Sequence, residues 1–133
     1  MIGSYVLLIE LSEKNYIQIG KLGNIEFPAS WYVYVGSAMN TIEKRVNRHF
    51  FVQKKFHWHI DYFLKEAVLK EAYYKESSKR EECDIAQLFA NSFQSIPSFG
   101  SSDCRCKSHL FYGEKRNLKK IITEVGSHLL NKK

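Results

Sequence analysis

From Ser4 to Leu11 apolar side chains fall on both faces of an extended chain: Tyr5, Leu7, Ile9 and Leu11 on one, Val6 and Leu8 on the other. A strand apolar on both sides is covered twice and sits centrally in its sheet. Asn15 breaks the run, and Tyr16–Ile19, Ile25–Phe27 and Trp31–Val35 follow as three short strands punctuated by Gly20, Gly23 and Pro28. Thr41 is placed to cap a helix in which Ile42, Val46 and Phe50 recur every fourth residue and face inward. A shorter helix is expected over Ile60–Glu66, and Val68–Lys75 alternates as a strand does. Glu81–Asn91 reads as a third helix burying Ile85, Leu88 and Phe89. The segment SIPSFGSSDCRCKS reads as an ordered loop and His109–Tyr112 as a last strand. An amphipathic helix over Asn117–Leu130 closes the chain, with Leu118, Ile121, Ile122, Val125 and Leu129 inward. No repeat or linker interrupts the pattern. The elements predict one α+β domain over residues 1–133, a small and mainly antiparallel sheet with helices on its faces.

Charge narrows the partners. The chain of 133 residues carries a formal net charge of +6, which favours an anionic partner, nucleic acid before an acidic membrane surface. A basic, soluble surface with no polyanion partner is the plainer alternative. No apolar run approaches the ~20 residues of a membrane span. The opening MIGSYVLLIELSEKN lacks a basic start and a small-residue cleavage site, and so reads as a strand and not a signal peptide. Three cysteines, an odd number, fit a reducing cytoplasm better than a secreted disulfide scaffold.

Candidate chemistry gathers around YVYVGSAMNTIEKRVNRH, residues 32–49. Tyr34 ends a strand just before Gly36, and Tyr5 follows Gly3 on the first strand. Arg45 and His49 stand four apart, one turn from each other on one helix face. Arg45 also lies within a turn of the inward Ile42 and Val46, so it borders the core. Each residue alone is ordinary decoration of a strand or a helix flank.

Taken together, the motifs resemble a known family. GSY near the N-terminus, YVGSA ending a strand and R-x-x-x-H on the next helix resemble the GIY-YIG endonuclease superfamily. FPASWYVYVGSA, RVNRH, FHWHIDYFL, the Glu82–Cys83 pair and FGSSDCRCKSHLFY are more closely similar to its Uri-type branch, long catalogued as a domain of unknown function. The likeness runs from Gly3 to about Tyr112. It implies a GIY-YIG-like fold in which Tyr16 to Phe27 form an added hairpin, because the two tyrosines here stand 29 residues apart. It also implies a Mg²⁺- or Mn²⁺-dependent endonuclease that hydrolyses DNA in repair or processing. Tyr5 and Tyr34 would be the two motif tyrosines, one taking a proton from the attacking water. Arg45 would neutralise phosphoryl oxygens, His49 would hydrogen-bond the site and relay a proton, and Glu82 would hold the metal, with Glu81 its rival. The sequence departs from the superfamily at Ser4, where an apolar residue is usual. It also lacks a clear C-terminal asparagine, whose place Ser102, Asp103 or His109 could take.

The chemistry is coherent on its own terms. Arginine's fork meets charge on the equatorial oxygens of a phosphodiester in transition, and a carboxylate-held Mg²⁺ meets charge on the leaving oxygen. A tyrosine, with a reference pKa near ~10, can act as a base near neutral pH only if Arg45, Lys44 or the metal lowers it.

Further residues suit a DNA backbone: Lys44, Arg48, Lys54, Lys55, His57, His59 and Ser102, with Trp58 as a stacking aromatic. His57 and His59 could also hydrogen-bond the residues that hold a metal or ligate it themselves, and Asp61 suits a helix start. SDCRCKSH supplies Asp103, Cys104, Cys106 and His109, with Cys83 as a further thiol. Zinc is one reading of that set, although C-x-C is a weaker signature than C-x-x-C. The other is a loop folded over the site and packed by small buried cysteines. Three function classes therefore stand: a DNA endonuclease, a nucleic-acid-binding module that partners a repair enzyme, and a structural zinc protein.

Overall fold

The computed structural model describes residues 1–51, 55–56, 58–102 and 104–130. In chain order the strands are β1 (Gly3–Leu11), β2 (Asn15–Ile19), β3 (Gly23–Phe27), β4 (Ser30–Ala38), β5 (Val68–Glu76), β6 (Gln94–Ser95), β7 (Leu110–Gly113) and β8 (His128–Leu130). The helices are α1 (Ile42–Phe50), α2 (His59–Leu64), α3 (Glu82–Ala90) and α4 (Lys115–Glu124). Six strands form one sheet in the order β6-β7-β4-β1-β5-β8, and each described pairing in it is antiparallel. This is the α+β architecture the periodicity predicts.

β1 lies in the middle, paired to β4 on one side and β5 on the other. Its odd-numbered row, Tyr5 to Leu11, is buried with Ile42 and Val46 of α1, Ile60 and Phe63 of α2, and Phe27 of β3. Its even-numbered row, Val6 and Leu8, is buried with Ile85, Ala86 and Phe89 of α3 and Leu118 and Ile122 of α4. The result is a sheet covered on both faces, as a strand apolar on both faces demands. The hairpin of β2 and β3 is a separate two-stranded sheet. It is held to the core by Phe27, whose ring lies 4.9 Å from that of Phe63. Thr41 caps α1, its side chain accepting the Lys44 N–H at 3.3 Å.

Two expectations are corrected. α4 starts at Lys115 and stops at Glu124, not Leu130. Gly126 adopts φ 78°, a left-handed conformation that ends a helix, and the chain turns back as β8 to pair with Ala72–Tyr74 of β5. Leu129 is accordingly exposed. On α3 the buried residues are Ile85, Ala86 and Phe89, and Leu88 points outward.

Candidate functional site

β7 runs beside β4 only from Trp31 to Tyr34. One more backbone bond, Val35 N–H to the His109 carbonyl at 3.0 Å, extends that contact. Past this point the β4 edge has no neighbouring strand among the described residues. There the surface sinks into a hollow of about 360 Å³, lined by Tyr5, Tyr34, Arg45, Trp58, His59, Arg80, Glu82, Ser102 and His109, among others. α3 packs on the opposite face of the sheet from α1. Its first turn nevertheless carries Glu82 past the open edge and into the hollow.

Tyr5 enters the hollow because Gly36 lets it. The two are cross-strand partners, and a Cβ at position 36 would collide with the phenol's Cζ and hydroxyl. The Tyr5 hydroxyl lies 2.9 Å from His49 Nε2. Burial pushes the phenol up to about 12, and the nearby Arg45 guanidinium offsets only part of that rise. A phenol that keeps its proton donates this bond to Nε2 when the imidazole carries its own proton on Nδ1. The lowered tyrosine pKa that a bare phenolate base requires is not found at Tyr5; desolvation outweighs the guanidinium.

Tyr34 stands beside Tyr5, their ring centroids 6.5 Å apart. Gly100, at φ 70°, closes over it, and a Cβ there would come within 2.9 Å of the Tyr34 ring. The Gly100 N–H donates to His59 Nδ1 at 2.9 Å, so the loop is held over Tyr34 by an imidazole. Burial lowers the pKa of His59, which favours the neutral form that accepts this bond.

Arg45 Nη1 donates to the Ser37 carbonyl at 3.1 Å, and its guanidinium lies 4.5 Å from the centroid of the Trp58 ring. Arg80 Nη1 donates to Ser37 Oγ at 3.3 Å and lies 3.8 Å from Glu82 Oε1. Glu82 Oε2 is buried and has no hydrogen-bond partner among the described residues. A bare carboxylate oxygen beside a polar hollow fits a hydrated Mg²⁺ or Mn²⁺, which needs only one or two protein carboxylates. Glu81 is turned to Lys75, 3.1 Å away, and does not line the hollow.

The other expected DNA contacts divide. His59 and Ser102 line the hollow. Lys44 and Lys55 are exposed but lie outside it. Lys54, His57 and Asp103 fall outside the described residues. Arg48 is placed otherwise than the sequence predicts. Its Nη1 and Nη2 bond the two oxygens of fully buried Asp61 at 2.8 and 3.0 Å, and Nη2 also donates to the Lys55 carbonyl at 2.9 Å. Asp61 in turn accepts the Trp58 N–H at 2.9 Å at the start of α2. Arg48 therefore joins α1 to α2 and helps seat Trp58. Sequence reasoning missed Arg80, which in SSKREEC reads only as part of a charged turn.

His109, which lines the hollow, also belongs to a second cluster. One donor atom from each of Cys83, Cys104, Cys106 and His109 lies within 4.8 Å of all the others, a set that could hold a metal ion. The three cysteines are free thiols. Burial, reinforced by the neighbouring thiols, pushes the Cys83 thiol well above its ordinary value.

The model of one protein family, described as Domain of unknown function DUF123, matches residues 4–131. The chain belongs to this family. The match spans β1 through β8 and so includes both clusters. No curated protein and no solved structure matches the chain. Among the described residues, no helix of this DUF123 member is long and apolar enough to cross a membrane.

Proposed function

We propose that this DUF123 domain is a cytoplasmic, Mg²⁺- or Mn²⁺-dependent endonuclease of the GIY-YIG type, hydrolysing DNA phosphodiester bonds in repair or processing. The observation that carries the reading is convergence: Tyr5 from β1, Tyr34 from β4, Arg45 from α1 and Glu82 from α3 line one hollow. Core packing accounts for the two buried phenols, but not for a guanidinium and an underbonded carboxylate at the same open edge.

In this reading the strand's phosphate sits beside Arg45, whose unused N–H groups neutralise the equatorial oxygens. The Tyr5 hydroxyl faces the attacking water. As the water oxygen bonds to phosphorus, its proton passes to the Tyr5 oxygen while the Tyr5 proton passes to His49 Nε2, 2.9 Å away. The phenol remains neutral at both ends of the step, so its raised pKa is no obstacle. The P–O3′ bond breaks, and the leaving oxygen takes a proton from solvent. Tyr34 orients the water or a phosphate oxygen from the neighbouring position. Glu82 would hold the divalent cation, which when bound neutralises charge on the leaving oxygen. Trp58, braced by Arg45 and Arg48 at 4.5 Å each, offers a stacking surface at the rim.

A second reading is a nucleic-acid-binding module that targets a repair partner without cutting. The raised pKa of Tyr5 favours it, since a phenol that does not ionise could be a purely structural element. Incubation of the protein with duplex, flap, branched and single-stranded DNA, and with RNA, in Mg²⁺ or Mn²⁺ separates the two. Divalent-dependent nicking of any substrate supports cleavage; binding with no nicking supports the module.

A further inference from the structure

We propose that Cys83, Cys104, Cys106 and His109 bind a structural zinc ion that fastens the first turn of α3 and the 104–109 segment to β4. The proposal is independent of the nuclease reading. It rests on geometry, ligand chemistry and the orientation of one imidazole.

The four donor atoms are gathered closely enough for one ion to bind them all. Zn–S bonds near ~2.3 Å and Zn–N bonds near ~2.0 Å place tetrahedral ligand atoms about 3.5–3.8 Å from one another. His109 Nε2 lies 3.4 Å from Cys104 Sγ and 3.9 Å from Cys83 Sγ, and the whole quartet falls within 4.8 Å. Thiols without a metal gain little from such crowding, because S–H is a weak donor and S a weak acceptor.

The imidazole is set for ligation. His109 Nδ1 lies 3.1 Å from the Val35 carbonyl, which can only accept, so Nδ1 carries the proton and Nε2 presents its lone pair to the sulfurs. Histidine ligands of zinc characteristically donate their other ring N–H to a carbonyl or carboxylate, which fixes ring and tautomer. Here the carbonyl belongs to the residue after Tyr34, and Val35 N–H also bonds the His109 carbonyl at 3.0 Å.

Three thiolates and one imidazole form a closed set of four protein ligands, the pattern of structural and not catalytic zinc. Binding releases three thiol protons to solvent, involves no electron transfer, and leaves the site with one net negative charge. Arg105 and Lys107, exposed on the same CRCK segment, are the cationic neighbours of these ligands in sequence. The ion would join parts of the chain far apart in sequence. Cys83 follows Glu82 at the start of α3, Cys104 and Cys106 lie in the loop, and His109 leads into β7.

The full chain, purified without a metal-affinity column, tests this by elemental analysis and by replacing the bound metal with Co²⁺. The expected result is one zinc per chain. The cobalt form should show a thiolate-to-cobalt charge-transfer band and the intense d–d bands of tetrahedral coordination. Cys104→Ser and His109→Ala should each weaken or reshape those bands, and stripping the metal from the wild type should lower its melting temperature and expose the 104–109 amides to exchange. Substoichiometric zinc with no cobalt band would overturn the proposal. So would iron with a sulfide-cluster spectrum, or a disulfide between any two of the three cysteines in the native protein. The wild-type measurements decide the matter even where a variant fails to fold.

Discussion

Tyr5 and Gly36 face each other across β1 and β4, and the phenol occupies the space that any side chain at position 36 would need. The pairing explains why β4, which runs on to Ala38, carries a glycine at position 36 within YVGSA. Gly36→Ala forces the Tyr5 ring aside and lengthens its bond to His49. Misplacement of a reacting group by about 1 Å costs on the order of 100-fold in rate. Single-turnover cleavage by Gly36→Ala should fall by about that factor, matching Tyr5→Phe, while DNA binding changes little. Wild-type turnover in Gly36→Ala would remove Tyr5 from the chemistry.

Arg45 and Arg48 stand one turn apart on α1 but have different surroundings, and substitutions should separate them. Arg45→Lys keeps the charge and loses the planar fork, so turnover should fall far more than DNA affinity. Arg48→Ala strips a fully buried carboxylate of its partner, a loss worth about 3 kcal/mol in stability. Urea unfolding should show the second effect and not the first. Equal destabilisation by the two variants would contradict the division of roles.

His59 gives the fold a pH dependence of known sign. Its folded-state pKa lies below the ordinary value of 6.5, because burial disfavours the imidazolium. The stability this group contributes is complete above 6.5 and drains away as the pH falls toward the folded-state value. Protonation at Nδ1 also removes the acceptor for Gly100 N–H. The Gly100 amide resonance should shift, and its protection against exchange relative to the intrinsic rate should fall, as the pH drops below 6.5. His59→Phe should abolish the dependence.

Ser4 is buried, and its hydroxyl has no hydrogen-bond partner among the described residues. Removing a buried, underbonded hydroxyl relieves a desolvation cost of about 1 kcal/mol. Ser4→Ala should therefore leave the melting temperature unchanged or raise it. A marked drop would show that the hydroxyl is satisfied.

Local periodicity revealed most of the architecture. The two-faced apolar row of β1 announced a central strand, and the every-fourth-residue row of α1 fixed its inward face. What failed was nonlocal. Val125 and Leu129 continue a helical stripe on paper, but Gly126 breaks it, and β8 exists only because β5, far earlier in the chain, offers Ala72–Tyr74 as an edge. Arg48 looks equivalent to Arg45 until Asp61, thirteen residues on, is folded against it. The Cys₃His cluster was faint for the same reason: Cys83 and Cys104 are 21 residues apart, and no short motif joins them.

The most direct test of the central claim is the cleavage of DNA by wild type and Glu82→Ala, with and without added Mg²⁺, alongside binding measured on the same substrates. Nicking should require the cation in the wild type and vanish in Glu82→Ala, whose binding persists and weakens with salt as phosphate contacts release counterions. Cleavage by Glu82→Ala at the wild-type rate, or none by the wild type on any substrate, would contradict the account.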